Sequence, residues 1–227
     1  GMGIPMTPGQ CESAIKVARK TCHEVPTCWG RIESAARYTI QSGKTMTFEE
    51  TGVKTALEGR FLTIQLPSGR KLYYDAPEVD PGDNSVSYMG QNQYTNQWER
   101  ISTWGGKLVE NLCQAIARDI LAHGMLLYTQ ADGTIIGHVH DEVIALEKEQ
   151  WSESALAYLN RCLCVTPVWA EGLVLGSEGY IARRYRKGWK PAGSLQLHQE
   201  LELPGHVAPV LIGKPAQPLP RGGGHFQ

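Results

Sequence analysis

Apolar positions in Lys107–Met125, KLVENLCQAIARDILAHGM, recur at helical spacing. Leu108, Leu112, Ile116 and Ile120, with Val109, Cys113, Ala117 and Leu121, form one broad apolar face. A face of that width is what a helix buries against a core, and Cys113 on it reads as core. Lys107, Asn111, Gln114 and Arg118 fall on a single polar stripe of the same helix. Gly105-Gly106 before it is a natural break, and Gly124 is expected to weaken its last turn. Downstream, Thr134–Leu146 reads TIIGHVHDEVIAL. Ile135, Ile136 and Val139 form one apolar arm, and Val143, Ile144 and Leu146 the other. Both arms predict buried strands of a hairpin, with His140, Asp141 and Glu142 at its tip.

The rest of the pattern is coarser. Pro8–Lys20 predicts a helix capped by Thr7, with Pro8 in the first turn. Thr27–Gln41 predicts a second, packed on the first, with Trp29, Ile32, Ala36 and Ile40 on one face. Phe61–Gln65 and Lys71–Tyr74 alternate around Pro67-Ser68-Gly69, the pattern of a hairpin. Its Arg60 and Arg70 could touch DNA, though an ordinary exposed role is the expectation. Val79–Trp98, rich in Asn, Gln, Gly and Tyr, predicts a long loop or irregular hairpin. Trp151–Leu163 predicts a helix on the back of the sheet, ended by Pro167-Val168-Trp169. Leu173–Leu175 and Tyr180–Arg186 predict a final strand or two. From Pro191 to Gln227 the chain turns to Pro, Gly and His, with too little apolar content to pack independently, so a mobile tail is expected. Helices and antiparallel strands in this order make an α+β fold.

Composition narrows the class. With 227 residues, 41% hydrophobic and 20% charged, the chain suits one ordinary globular domain plus a tail. A net charge of −1 does not announce a nucleic-acid binder. Positive charge is nevertheless clustered at Arg183, Arg184, Arg186, Lys187 and Lys190, where a phosphate backbone could be held in a salt-sensitive way. No apolar run approaches membrane-spanning length, and no signal peptide is visible. The six cysteines show no paired CxxC spacing, which fits a reducing cytoplasm. Cys22-His23 with Cys28 is a thin hint of zinc.

The triplet carries the chemistry. His140, Asp141 and Glu142 are too polar to bury unpaired. Hard carboxylate oxygens suit Mg²⁺ or Mn²⁺, which take one or two carboxylates together with substrate phosphate. An acidic surface turn is the plain alternative. His138 and His140, two apart on a strand, could with Asp141 hold a transition metal, as in an unrelated metallohydrolase.

The run GGKLVENLCQAIARDIL, a short spacer and HVHDEV together resemble the C-terminal palm of family A DNA polymerases. The likeness is to the phage and prophage branch of the DNA polymerase I group. FLTIQLPSGRKLYY (Phe61–Tyr74), PVWAEGLVLGSEGY (Pro167–Tyr180) and RRYRK (Arg183–Lys187) fit the same branch, so the resemblance runs from Cys11 to Lys190. It implies an antiparallel palm-like sheet whose motif-bearing hairpin packs against helices. Residues 1–60 would be helices following the fingers, 61–190 the palm-like catalytic subdomain and 191–227 the tail. Asp141 would ligate the two catalytic Mg²⁺ ions, Glu142 would be a secondary carboxylate beside them, and His140 would lie near the primer terminus. Gln114 matches the glutamine that faces the duplex minor groove. Lys107, Asn111 and Arg118 would join it in contacting DNA, as would Arg183, Arg184, Arg186 and Lys187.

The same resemblance exposes a gap. Two metals need bridging carboxylates from more than one segment. The family's first motif, an Asp-bearing strand, and its second, a fingers helix with Arg and Lys for the triphosphate, have no match here; Lys16, Arg19 and Lys20 lie in what resembles the segment after that helix. Gly1-Met2 looks like a tag remnant before a start methionine. The expectation is half an active site for template-directed nucleotidyl transfer, one that does not polymerise alone. Its partners would be primer-template DNA, deoxynucleotide triphosphates and an upstream polymerase chain. The alternative is a catalytically inactive DNA-binding remnant of a prophage polymerase.

Overall fold

A computed structural model describes residues 7–182, 184 and 185, and the main chain of 210–215. The chain divides into two compact units, Gly1–Ile116 and Ala117–Gln227. Among the described residues no helix is long and apolar enough to cross a membrane. Both units are α+β.

The first unit holds α1 (Pro8–Thr21), α2 (Glu24–Ser42) and six strands. The strands are β1 (Met46–Phe48), β2 (Val53–Glu58), β3 (Phe61–Gln65), β4 (Lys71–Val79), β5 (Val86–Gln91) and β6 (Trp98–Thr103). They form one antiparallel sheet in sequence order. Its core joins Ile32 and Ala36 of α2 to Val53, Leu62, Ile64, Leu66 and Tyr74. Leu108, Leu112 and Ala115, from the first turns of α3 (Gly105–Gln130), complete it. Thr39 and Thr55 satisfy each other inside this core, Oγ1 to Oγ1 at 2.8 Å, because a buried hydroxyl without a partner is costly.

Helix α1 starts as the sequence predicts, with Thr7 as its cap and Pro8 at the first position, and Gln10 completes a capping box that was not foreseen. None of its residues is buried, however, so it is not the packed partner of α2 that was expected. For the stretch 79–98, expected as a long loop or irregular hairpin, the hairpin holds and the irregularity does not. This stretch contributes β5 and the start of β6, two regular strands in register from Val86↔Thr103 to Gln91↔Trp98. Polar side chains obscured them, because a half-exposed strand shows apolar residues on one face only.

The glycine pair at 105–106 starts α3 instead of preceding it. A Cβ on Gly105 would lie 2.0 Å from the Trp29 carbonyl oxygen. Close packing against α2 therefore selects glycine, and Glu33 Oε2 accepts the Gly105 N–H at 2.8 Å. Cys113, expected in the core, is exposed.

The second unit holds the rest of α3, then β7 (Thr134–Val139), β8 (Glu142–Leu146), α4 (Ser152–Leu163), β9 (Ser177–Ala182) and β10 (Val210–Pro215). Its sheet is antiparallel in the order β7-β8-β10-β9. One face packs Val143 and Ala145 onto Leu121 and Tyr128 of α3 and onto Leu159, Cys162 and Leu163 of α4. Gly124 does not weaken α3: the helix runs past it to Gln130, and a Cβ there would meet the Leu163 Cα at 2.8 Å.

Three expectations change in this unit. Strand β8 is buried as predicted, but β7 is a half-exposed edge strand; Ile136, 56% exposed, lies where its register with β8 shifts. Leu173–Leu175 forms no strand. The supposed mobile tail supplies β10, which pairs Val210–Gly213 with β8 and Val210–Pro215 with β9. A short apolar run in a poor composition suffices when two waiting strands offer ladder partners on both sides.

Candidate functional site

Strands β7 and β8 are joined by the shortest common hairpin connection. Val139 pairs with Glu142, leaving His140 and Asp141 as the two turn residues. His140 takes a left-handed conformation, φ 53°, as two-residue hairpin loops require to match strand twist. Both turn residues are exposed. Glu142 is half-buried, because as the first residue of β8 it already lies in the sheet.

Strand alternation sorts the hairpin's faces. Val143 and Ala145 point to the α4 side, so Glu142 and Ile144 point to the other. There Ile144 packs with Val139, Tyr180 and Tyr185. The Tyr185 hydroxyl donates to Glu142 Oε2 at 3.2 Å. Burial, and then the nearby Glu142 carboxylate, raise the Tyr180 phenol above its ordinary value. Burial followed by the hydrogen bond to Glu142 does the same for Tyr185. Both phenols therefore stay neutral at physiological pH, and Tyr185 remains a donor.

The other arm is held from α3. Arg118 Nη2 donates to His138 Nε2 at 3.3 Å, and its Nη1 reaches the Met125 sulfur at 4.0 Å. Of the predicted α3 stripe, Arg118 is thus brought to the hairpin in this unit. The others lie in the first unit. Lys107 bonds Glu110 at 3.0 Å, Asn111 donates to the Tyr74 hydroxyl at 3.2 Å, and Gln114 is exposed. Arg70 donates to the Ala115 carbonyl of α3 at 2.8 Å, and Arg60 pairs with Asp75, so both have structural partners. Arg184 is exposed; Arg183, Arg186, Lys187 and Lys190 lie outside the described residues.

The metal question turns on donors. Asp141 and Glu142 offer adjacent carboxylates of the hard type that Mg²⁺ and Mn²⁺ prefer. Among the described residues no group of three or more His, Cys, Asp and Glu side chains could hold an ion. The pair fits part of a coordination shell and not a whole one. The same finding gives the His138–His140–Asp141 and Cys22–His23–Cys28 readings no metal-holding group. Tyr180 and Tyr185 went unnoticed as site residues because Tyr185 is embedded in a basic run that draws attention to its charges.

No family profile matches the chain, and no solved structure matches it. Over 190 residues, 82% of its length, it is 30% identical to the DNA polymerase of Bacillus phage SP02. It spans 29% of that protein's length. The chain is similar to one part of a phage DNA polymerase.

Proposed function

We propose that this chain is the carboxylate-bearing palm part of a family A DNA polymerase and acts with a further polypeptide segment carrying the missing carboxylate and the triphosphate grip. The similarity to the phage enzyme supports a polymerase. The single observation that carries the site is the two-residue turn presenting Asp141 beside Glu142. A four-stranded antiparallel sheet, with α3 and α4 packed on the face opposite Glu142, supports a palm-like reading.

Asp141 and Glu142 would hold divalent metal between protein and substrate phosphate. Bound there, Mg²⁺ or Mn²⁺ supplies charge neutralisation and activation of an attacking hydroxyl. The chain's own residues orient: His140 beside the primer end, Gln114 against the duplex, and Arg118 holding the β7 arm through His138. Lys107, Asn111 and the basic run from Arg183 to Lys187 would contribute phosphate contacts, which position the duplex without reading its sequence.

Primer extension by this chain mixed with a segment carrying the missing motifs tests the reading. Activity should appear with Mg²⁺ and fall by ~100-fold or more in Asp141→Ala, given several kcal/mol of charge stabilisation at the site. Activity that survives Asp141→Ala would overturn the role of Asp141. Salt-sensitive duplex binding with no extension under any combination would leave the inactive remnant as the better description.

A further inference from the structure

Glu142 has one property that bears on metal binding: a side chain from another segment holds it. A glutamate on an exposed strand samples many rotamers, and ordering it on binding an ion costs conformational entropy. Here Ile144, Val139, Tyr180 and Tyr185 pack together on the face that Glu142 shares. The Tyr185 hydroxyl reaches Glu142 Oε2 at 3.2 Å. Tyr185 lies beyond the last residue of β9, so it approaches Glu142 from a segment 43 residues away in sequence. A carboxylate accepts at about four lone-pair sites, so one bond from a phenol leaves capacity for an ion.

We infer that Tyr185 is a positioning residue for the proposed metal site, its hydroxyl orienting the Glu142 carboxylate through the hydrogen bond to Oε2. The inference rests on the polymerase reading only in taking Asp141 and Glu142 as metal carboxylates. Tyr185 touches neither metal nor substrate in this role. It acts by holding Glu142 in one rotamer, as outer-shell donors hold ligating carboxylates elsewhere. Ile144 is the buried residue against which both Tyr180 and Tyr185 pack.

The test uses the full chain and Mn²⁺ alone, read as paramagnetic broadening of the Asp141 and Glu142 amide signals in a titration. The wild type should be broadened at those residues, and Tyr185→Phe should require roughly 10-fold more Mn²⁺. The packing ring is kept in Tyr185→Phe, so its circular dichroism and melting should stay close to wild type. In a Glu142→Gln background, Tyr185→Phe should add nothing, because the carboxylate it orients is gone. Equal Mn²⁺ midpoints for wild type and Tyr185→Phe would overturn the inference and leave the metal reading standing. A further loss in the Glu142→Gln background would also overturn it, since the hydroxyl would then act elsewhere. A wild type left unbroadened at millimolar Mn²⁺ would overturn both the inference and the metal role of the pair.

Discussion

The two sheets reach similar antiparallel geometry by different routes. In the first unit every strand pairs with its neighbour in sequence, β1 through β6, so each ladder closes over a short turn. In the second, β8 and β9 do not touch; β10 enters between them from beyond residue 182. Local hairpins close cheaply, whereas a strand inserted from a distance bears a larger loop-closure cost and forms its contacts late. The candidate site lies in the second kind of sheet. Glu142 opens β8, whose other edge is completed by the inserted strand, and Tyr185 follows β9. The part of the molecule that holds the candidate site is therefore the part that depends most on distant sequence.

Removing β10 should break this contrast most sharply. A chain cut before Val210 loses ladder bonds on both sides of the gap, each worth about 1 kcal/mol net. Amide protection across Val143–Ala145 should then fall ~100-fold or more by hydrogen exchange, while β3 and β4 keep theirs. Equal protection in the cut chain would mean that β10 does not support the sheet.

The first unit has its own weak point in the close approach of α3 to α2. Gly105→Ala places a methyl against the Trp29 carbonyl and should destabilise this unit by about 1–3 kcal/mol in urea unfolding. Exchange protection in β7 and β8 should change less than that in β3. Loss in both alike would show that the units unfold as one.

The smallest effect is expected from alkaline pH on the second unit. Tyr128 is buried and donates to Glu147 at 2.6 Å. Burial, then Glu147, raise its phenol well above the ordinary value near 10. The unfolded phenol therefore ionises first as pH climbs past about 10, so the unfolded state binds fewer protons and stability falls. Below that pH the contribution is fully present. Tyr128→Phe should flatten this alkaline decline, read from melting temperatures across the range; an unchanged slope would remove Tyr128 as its source.

Much of this was legible from spacing. The cap at Thr7, the hairpin around Pro67-Ser68-Gly69, the long apolar stripe of α3 and the turn at His140-Asp141 all depend on residues close in sequence. Local rules decide such features, and the structure repeats them. The regularity of β5 and β6 was hidden because polar residues such as Gln91, Arg100 and Ser102 alternate with the more buried positions, and only pairing shows the register. Gly105 and Gly124 were misread because their reason is a neighbouring helix, Trp29 in one case and Leu163 in the other.

The candidate site divides along the same line. The identity of its carboxylates, their adjacency and their place at a tight turn are properties of six consecutive residues, His138 to Val143, and needed nothing beyond them. Tertiary structure alone decided that Glu142 meets Tyr185, that Arg118 holds His138, and that residues 210–215 of an unpromising tail become a central strand. Periodicity reports which face of an element is apolar. It carries no information about which distant residue comes to lie against that face, because that choice is made by the free energy of the whole packed sheet.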